Sequence, residues 1–294
     1  MRSLPLLLAT ALALGACTGD DDGARPARST NPSSTAPGST STTAPPPTST
    51  TVARGDELAA TLVRVERALR SPERDDAQLE TLGRAQDDAY AALREEPDDA
   101  PAVLGALPAD VAPIVAANLL AALELTPLAE PQPQLPPWTI RPPLPREELL
   151  ALYRESEAAS GVPWQYLAAI HLVESRLGRI VGPSTAGALG PMQFIPSSWE
   201  AFGEGGDIWS DRDSIMAAGR YLAAAGAPAD MDGALFAYNH SDHYVAAVSA
   251  YARLMIDDPR AYDGYYFWQV RYRTTGGRFL LPEGYPEVPA VALG

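Results

Sequence analysis

Glu174 is the side chain whose local pattern points most directly to chemistry. The stretch from Pro163 to about Leu177 reads as a helix, because Gly161-Val162-Pro163 breaks the preceding element and places a proline in the first turn. Around its wheel Leu167, Ile170 and His171 share one face, Tyr166 and Val173 a second, and Ala168 and Leu172 a third. A helix that is apolar all round is a buried one. Glu174 falls on the first of these faces, one turn after Ile170 and His171 and two after Leu167. Burial and the negative end of the helix dipole both disfavour a carboxylate there. They push its pKa toward what a general acid near neutral pH needs. The wheel alone leaves two other outcomes open: escape to solvent at the helix end, or pairing with Arg176 or Arg179. His240 and His243 have a spacing seen in metal sites, but the chain holds only three His and one Cys, and no metal or cofactor is expected. Asp207, Asp211 and Asp213 lack the regular alternation and closing Glu of a calcium loop and read as a solvated acidic turn.

The elements around Glu174 are also helical. Leu58, Leu62, Val65 and Leu69 fall at helical spacing, as do Leu79, Leu82, Ala89 and Leu93. Pro97 closes that second run, and Pro113 opens a third through Leu125. Together they read as an acidic helical module over 56–130, with packing or a protein partner as its role. Seven prolines in the 15 residues 131–145 mark a linker. Helices follow at about Arg146–Ser160, Asp213–Ala225 and Ala234–Tyr238, with a small-residue loop, Gly182 to Pro191, between the Glu174 helix and Met192. Over 261–294, Tyr265 to Tyr272 alternates, and Phe279-Leu280-Leu281 follows Gly276-Gly277, which reads as a two-strand hairpin flap.

Three short motifs in order carry a family resemblance: Glu174-Ser175, then Gly190-Pro191-Met192-Gln193-Phe194, then Ala237-Tyr238-Asn239. They resemble the signatures of lytic transglycosylases, lysozyme-like enzymes that cut peptidoglycan glycan strands. Residues 146–260 carry the match, which includes Gly206-Asp207-Ile208 and Asp211 to Leu222. The resemblance implies a mainly α protein. Its catalytic domain would be lysozyme-like, of the goose-type or lytic transglycosylase kind, with an N-terminal helical module and a short C-terminal hairpin-like tail. It also implies that Glu174 protonates the leaving oxygen of the β-1,4 bond between N-acetylmuramic acid and N-acetylglucosamine. The substrate's N-acetyl oxygen then assists, and Glu174 takes the proton of the muramoyl C6 hydroxyl, leaving a 1,6-anhydro end. Ser175, Met192, Gln193, Phe194, Tyr238 and Asn239 become substrate-binding candidates, with Met192 and Phe194 equally suited to the core and Tyr238 also suited to orienting Glu174. Two rivals stand beside this reading. One is a lysozyme-type hydrolase using Asp207 or Asp211 as base; the other is a wall-binding scaffold without activity.

Composition narrows the field. All 22 basic residues are Arg, so enzymes that depend on a phosphate-binding or Schiff-base lysine are excluded. The net charge of -15 argues against nucleic acid as a partner. Arg2, the apolar Leu4–Leu14 run and Leu14-Gly15-Ala16-Cys17 resemble a lipoprotein leader. The resemblance implies a signal peptide over 1–16 and a lipid on Cys17. The chain would then be anchored to the outer face of the cytoplasmic membrane and act in the cell wall, with peptidoglycan glycan strands as its substrate. Residues 17–55 read as a disordered linker, since 19 of the 24 residues 29–52 are Ser, Thr or Pro.

Overall fold

The computed structural model describes residues 49–293, with side chains from Arg54 onward. The expected leader, Cys17 and the Ser/Thr/Pro-rich stretch as far as residue 48 lie outside the described residues. Among the described residues the chain forms eleven α-helices and five short strands. It is mainly helical, with a small antiparallel sheet at the C-terminal end.

The helices are α1 (Ser49–Arg70), α2 (Leu79–Glu95), α3 (Ala100–Ala106), α4 (Ala112–Leu125), α5 (Arg146–Ser160), α6 (Trp164–Ser175), α7 (Pro196–Phe202), α8 (Asp211–Ala224), α9 (Met231–Tyr238), α10 (Asp242–Asp257) and α11 (Ala261–Tyr265). α1 begins inside the stretch expected to be linker, and α3, α7, α10 and α11 are helices that the sequence pattern did not announce. α6 and α10 lie side by side in the interior; α4 covers α10, and α5 and α8 pack together beside α6. Most apolar positions read from the wheels are buried: Leu62, Val65, Leu69 and Leu93, then Leu167 and Ile170, are all fully enclosed, while Leu58, Tyr166 and Val173 are half-buried. Each such side chain contributes about 1.5–3 kcal/mol through water released from its surface. One continuous core runs from Ala59 through Trp164 and Tyr251 to Trp268, so the N-terminal helices and the block after Arg146 share it.

Residues 131–145 are not a loose spacer. Thr139–Ile140 (β1) pairs antiparallel with Ile180–Val181 (β2), just after α6. Trp138 is buried, and its indole donates to the Pro183 carbonyl at 3.0 Å. The Tyr285 hydroxyl donates to the Pro136 carbonyl at 2.9 Å. Proline lacks an N–H but keeps its carbonyl, so the prolines of this strap bind by accepting, while Trp138, Ile140 and Arg141 donate. The tail differs from the expected hairpin at both ends. Strands β3 (Val270–Thr274) and β4 (Gly277–Leu281) do pair, from Val270 opposite Leu281 to Thr274 opposite Gly277. A third strand, β5 (Val291–Leu293), adds to β4. Tyr265, however, ends α11, and the following turn carries Tyr266 to Gln269, because Tyr265 and Trp268 bury their rings against Tyr251 instead of alternating across a sheet.

Polar contacts fix the tail on the first helices. Asp87 accepts from the Gln269 backbone N–H at 3.2 Å and from the Arg271 guanidinium at 3.1 Å, and the Trp268 indole donates to Gln86 at 2.9 Å. A buried chain ties α1, α2, α4 and α11: Tyr90 donates to Glu66, Asn118 to Tyr90, and Tyr265 to Asn118. With every member satisfied, such a network specifies how the helices dock.

Candidate active site

The end of α6 is shaped by a reversal in left-handed backbone. Arg176, Leu177 and Gly178 have φ of 54, 60 and 80°. The Arg176 N–H reaches the Leu172 carbonyl at 3.2 Å and the Leu177 N–H reaches the His171 carbonyl at 3.0 Å, which closes the helix end. Two non-glycine residues in this region cost about 1–2 kcal/mol each. At Gly178 a Cβ would meet Asp211 Oδ1 at 2.4 Å, so only glycine fits without displacing that carboxylate. The reversal holds the Ser175 hydroxyl inward. It donates to the Pro191 carbonyl at 2.5 Å and accepts from the Gly178 N–H at 3.0 Å. Ser175 thus bolts the helix end to the Gly190–Phe194 loop.

Glu174 is fully buried. Its Oε1 accepts from the Tyr244 hydroxyl at 2.7 Å, and its Oε2 has no hydrogen-bond partner. Burial raises its pKa well above the usual carboxylate range, and the Tyr244 hydrogen bond opposes that rise. The two outcomes left open by the wheel are therefore not taken: Arg179 pairs with Glu283, and no ion pair joins Glu174 to Arg176. The Tyr238 ring stacks on that of Tyr244, 6.4 Å apart and 9° from parallel. Burial first, and then the neighbouring Glu174 charge, hold both phenols well above their ordinary range, so both remain neutral donors.

The candidate residues converge around this carboxyl to different degrees. The Tyr238 hydroxyl donates to the Met192 carbonyl at 2.6 Å, so it does not itself hold Glu174. Met192 and Phe194 are buried, and the Phe194 ring packs edge-on against Trp199 at 5.5 Å and Tyr238 at 5.8 Å. Leu189 and Phe194 exchange backbone hydrogen bonds of 2.9 Å, which pinch the loop. Inside the pinch Gly190 has φ of 78°, and a Cβ there would lie 1.9 Å from the Ile208 carbonyl oxygen. Gln193, with φ of 49°, turns its amide N–H back to the Gly190 carbonyl at 2.9 Å. That leaves the buried Oε1 of Gln193 without a partner. Asn239 caps the end of α9 in extended backbone and is buried. Cys17 lies outside the described residues.

The aspartates nominated as a hydrolytic base are engaged elsewhere. Asp207 Oδ1 accepts from the Trp209 N–H at 3.0 Å. Asp211 is buried, not part of a solvated turn: its Oδ2 accepts from Arg141 at 2.6 Å, and its Oδ1 stands 3.6 Å from His171 Nε2. His171 Nδ1 meets the Tyr153 hydroxyl at 2.7 Å. Burial, with Arg141 adding to it, drops the His171 pKa to about 3, so this ring is neutral. His243 meets Glu124 at 2.6 Å, and His240 packs on the Phe236 ring.

Sequence reasoning missed Tyr244. Its signal was present: Tyr244, Val248 and Tyr251 recur on one face of a helix opened by the Ser241 cap, and a buried tyrosine hydroxyl requires an acceptor. Protein-family models, curated proteins and solved structures were compared with this chain, and none matches.

Proposed function

We propose that this protein is a lytic transglycosylase of the bacterial cell wall, with a lysozyme-like catalytic domain around Glu174. The observation that carries the reading is a carboxyl enclosed at a helix end, with a raised pKa and a single hydrogen-bond donor, Tyr244. A carboxyl that keeps its proton near neutral pH can give it to a leaving glycosidic oxygen. As the proton departs, the Tyr244 hydrogen bond becomes charge-assisted and strengthens, which stabilises the carboxylate when it is most needed. The substrate's N-acetyl carbonyl supports the anomeric carbon in the meantime. The carboxylate then takes the proton of the muramoyl C6 hydroxyl; the oxygen closes on C1, a 1,6-anhydro end forms, and Glu174 is again protonated. No water enters, so no second carboxylate is needed.

Gln193 is suited to an N-acetyl or hydroxyl group, because its buried Oε1 is an acceptor in want of a donor. Ser175, Met192 and Phe194 act by shaping the loop beside the acid. Asn239 lines the adjoining helix end. The leader pattern supports a lipid on Cys17 that holds the enzyme at the outer face of the membrane, within reach of glycan strands.

The test is mass spectrometry of fragments released from purified peptidoglycan. Anhydromuramoyl ends, lighter by one water than hydrolysed ends, are expected, and Glu174→Gln should lower their release by about a hundredfold to ten-thousandfold. Free reducing ends would identify a hydrolase. Undiminished release by a folded Glu174→Gln protein would remove Glu174 from the reaction.

A further inference from the structure

One cavity among the described residues lies apart from Glu174. It has a volume of about 120 Å³ and lies between α2, α4, the end of α6, α10 and the tail sheet. A single water needs about 10–15 Å³ on this measure, so the space holds a small molecule and not a glycan strand. Five arginines and three carboxylates line it, on a chain whose net charge is -15. Asp87 is held by Arg271, and Glu95 by Arg278.

Arg176 is the unusual member. It occupies a left-handed position, φ 54°, where glycine is the ordinary choice. Its guanidinium stands over the Trp268 ring, 5.7 Å from the centroid, and donates to the Leu172 carbonyl at 3.3 Å; among the described residues it makes no ion pair. Arg94 also lines the cavity; its nearest carboxylate is its chain neighbour Glu95 at 3.8 Å. Burial, and then the charge of Arg176, lower the Arg94 pKa, with Glu95, Tyr251 and Asp87 opposing that fall. Tyr251 also lines the cavity, within the field of both arginines.

We propose that this cavity is a binding site for a small carboxylate-bearing ligand, its carboxylate between Arg94 and Arg176 and its body against Trp268 and Trp138. Paired guanidiniums match the planar, two-oxygen geometry of a carboxylate, and the aromatic walls suit a flat or apolar body. The site does not depend on the glycan chemistry assigned to Glu174. The carboxylate could belong to a free small acid or to the end of a short peptide, and two probes separate these sources.

Ligand-observed NMR titration of the full chain with benzoate and with D-alanyl-D-alanine tests the proposal. Saturable binding of benzoate alone supports a free acid, and binding of the dipeptide alone supports a peptide terminus; binding of both supports the carboxylate as the shared determinant. Arg176→Gly suits the left-handed backbone, so circular dichroism should show an intact fold, while affinity falls about tenfold or more. Arg94→Ala should weaken binding similarly, and Arg212→Ala, on the outer surface, should not. Binding of neither probe, equal binding of neutral benzamide, or full affinity in both Arg176→Gly and Arg94→Ala would each overturn the proposal.

Discussion

Glu174→Gln should change how stability depends on pH, whatever it does to activity. In the folded protein burial holds the Glu174 pKa well above its ordinary 4.5. In the unfolded chain the carboxyl is in water and titrates near that ordinary value. Between the two, the folded protein keeps a proton that the unfolded chain has lost. Stability therefore falls as pH rises through this window, by up to about 1.4 kcal/mol per pH unit for one proton. The contribution is fully present below the unfolded pKa and is lost as pH rises through the folded one. Glutamine keeps the shape, and its Oε1 can still accept from Tyr244, but nothing titrates. Asp211 and His171 titrate in both proteins, so their effects cancel in the difference. Urea unfolding of both proteins between about pH 5 and pH 7 measures that difference, and the variant should gain on the wild type by about 1 kcal/mol per unit. If the two stabilities run parallel, Glu174 is already ionised in the folded protein, and the case for a stored proton fails.

Three further outcomes follow from neighbouring contacts. Tyr244→Phe removes the hydrogen bond that opposes the Glu174 rise, so the pH–rate profile on peptidoglycan should move to higher pH with a loss of kcat; an unmoved profile would free Tyr244 from this role. His171 is held near pKa 3 against an ordinary 6.5, so stability should be lost as pH falls from about 6.5 toward 3, where the unfolded chain alone takes up the proton; His171→Gln should flatten that acid limb in thermal melts. Gly190→Ala would drive a Cβ against the Ile208 carbonyl and should cost about 3 kcal/mol or more. Gly187→Ala, at the similar φ of 81° but in open space, should cost about 1 kcal/mol, and equal costs would show that the loop relaxes around position 190.

Much of the helical frame, and the dryness of the Glu174 face, were legible in the residues alone. Leu167, Ile170, His171 and Glu174 share a wheel face, and all four are fully buried. Apolar burial is non-directional: any close-packed neighbour serves, so a local period of 3.6 suffices to foretell it. What surrounds the carboxyl was decided by tertiary structure. Its donor, Tyr244, stands 70 residues away, and Tyr238, within the motif, turns instead to the Met192 carbonyl. The prolines of 131–145 read as a spacer but form a packed strap, because their carbonyls and Trp138 find partners beyond Ile180 and at Tyr285. The aromatic run from Tyr265 alternates like a strand, yet its first members bury against Tyr251 on α10. Asp211 looked solvated because nothing nearby in sequence reveals Arg141, which meets it from 70 residues earlier. A hydrogen bond or ion pair requires one partner at one distance and angle, and that partner is set by how α6, α8 and α10 dock and not by the pattern along any one of them.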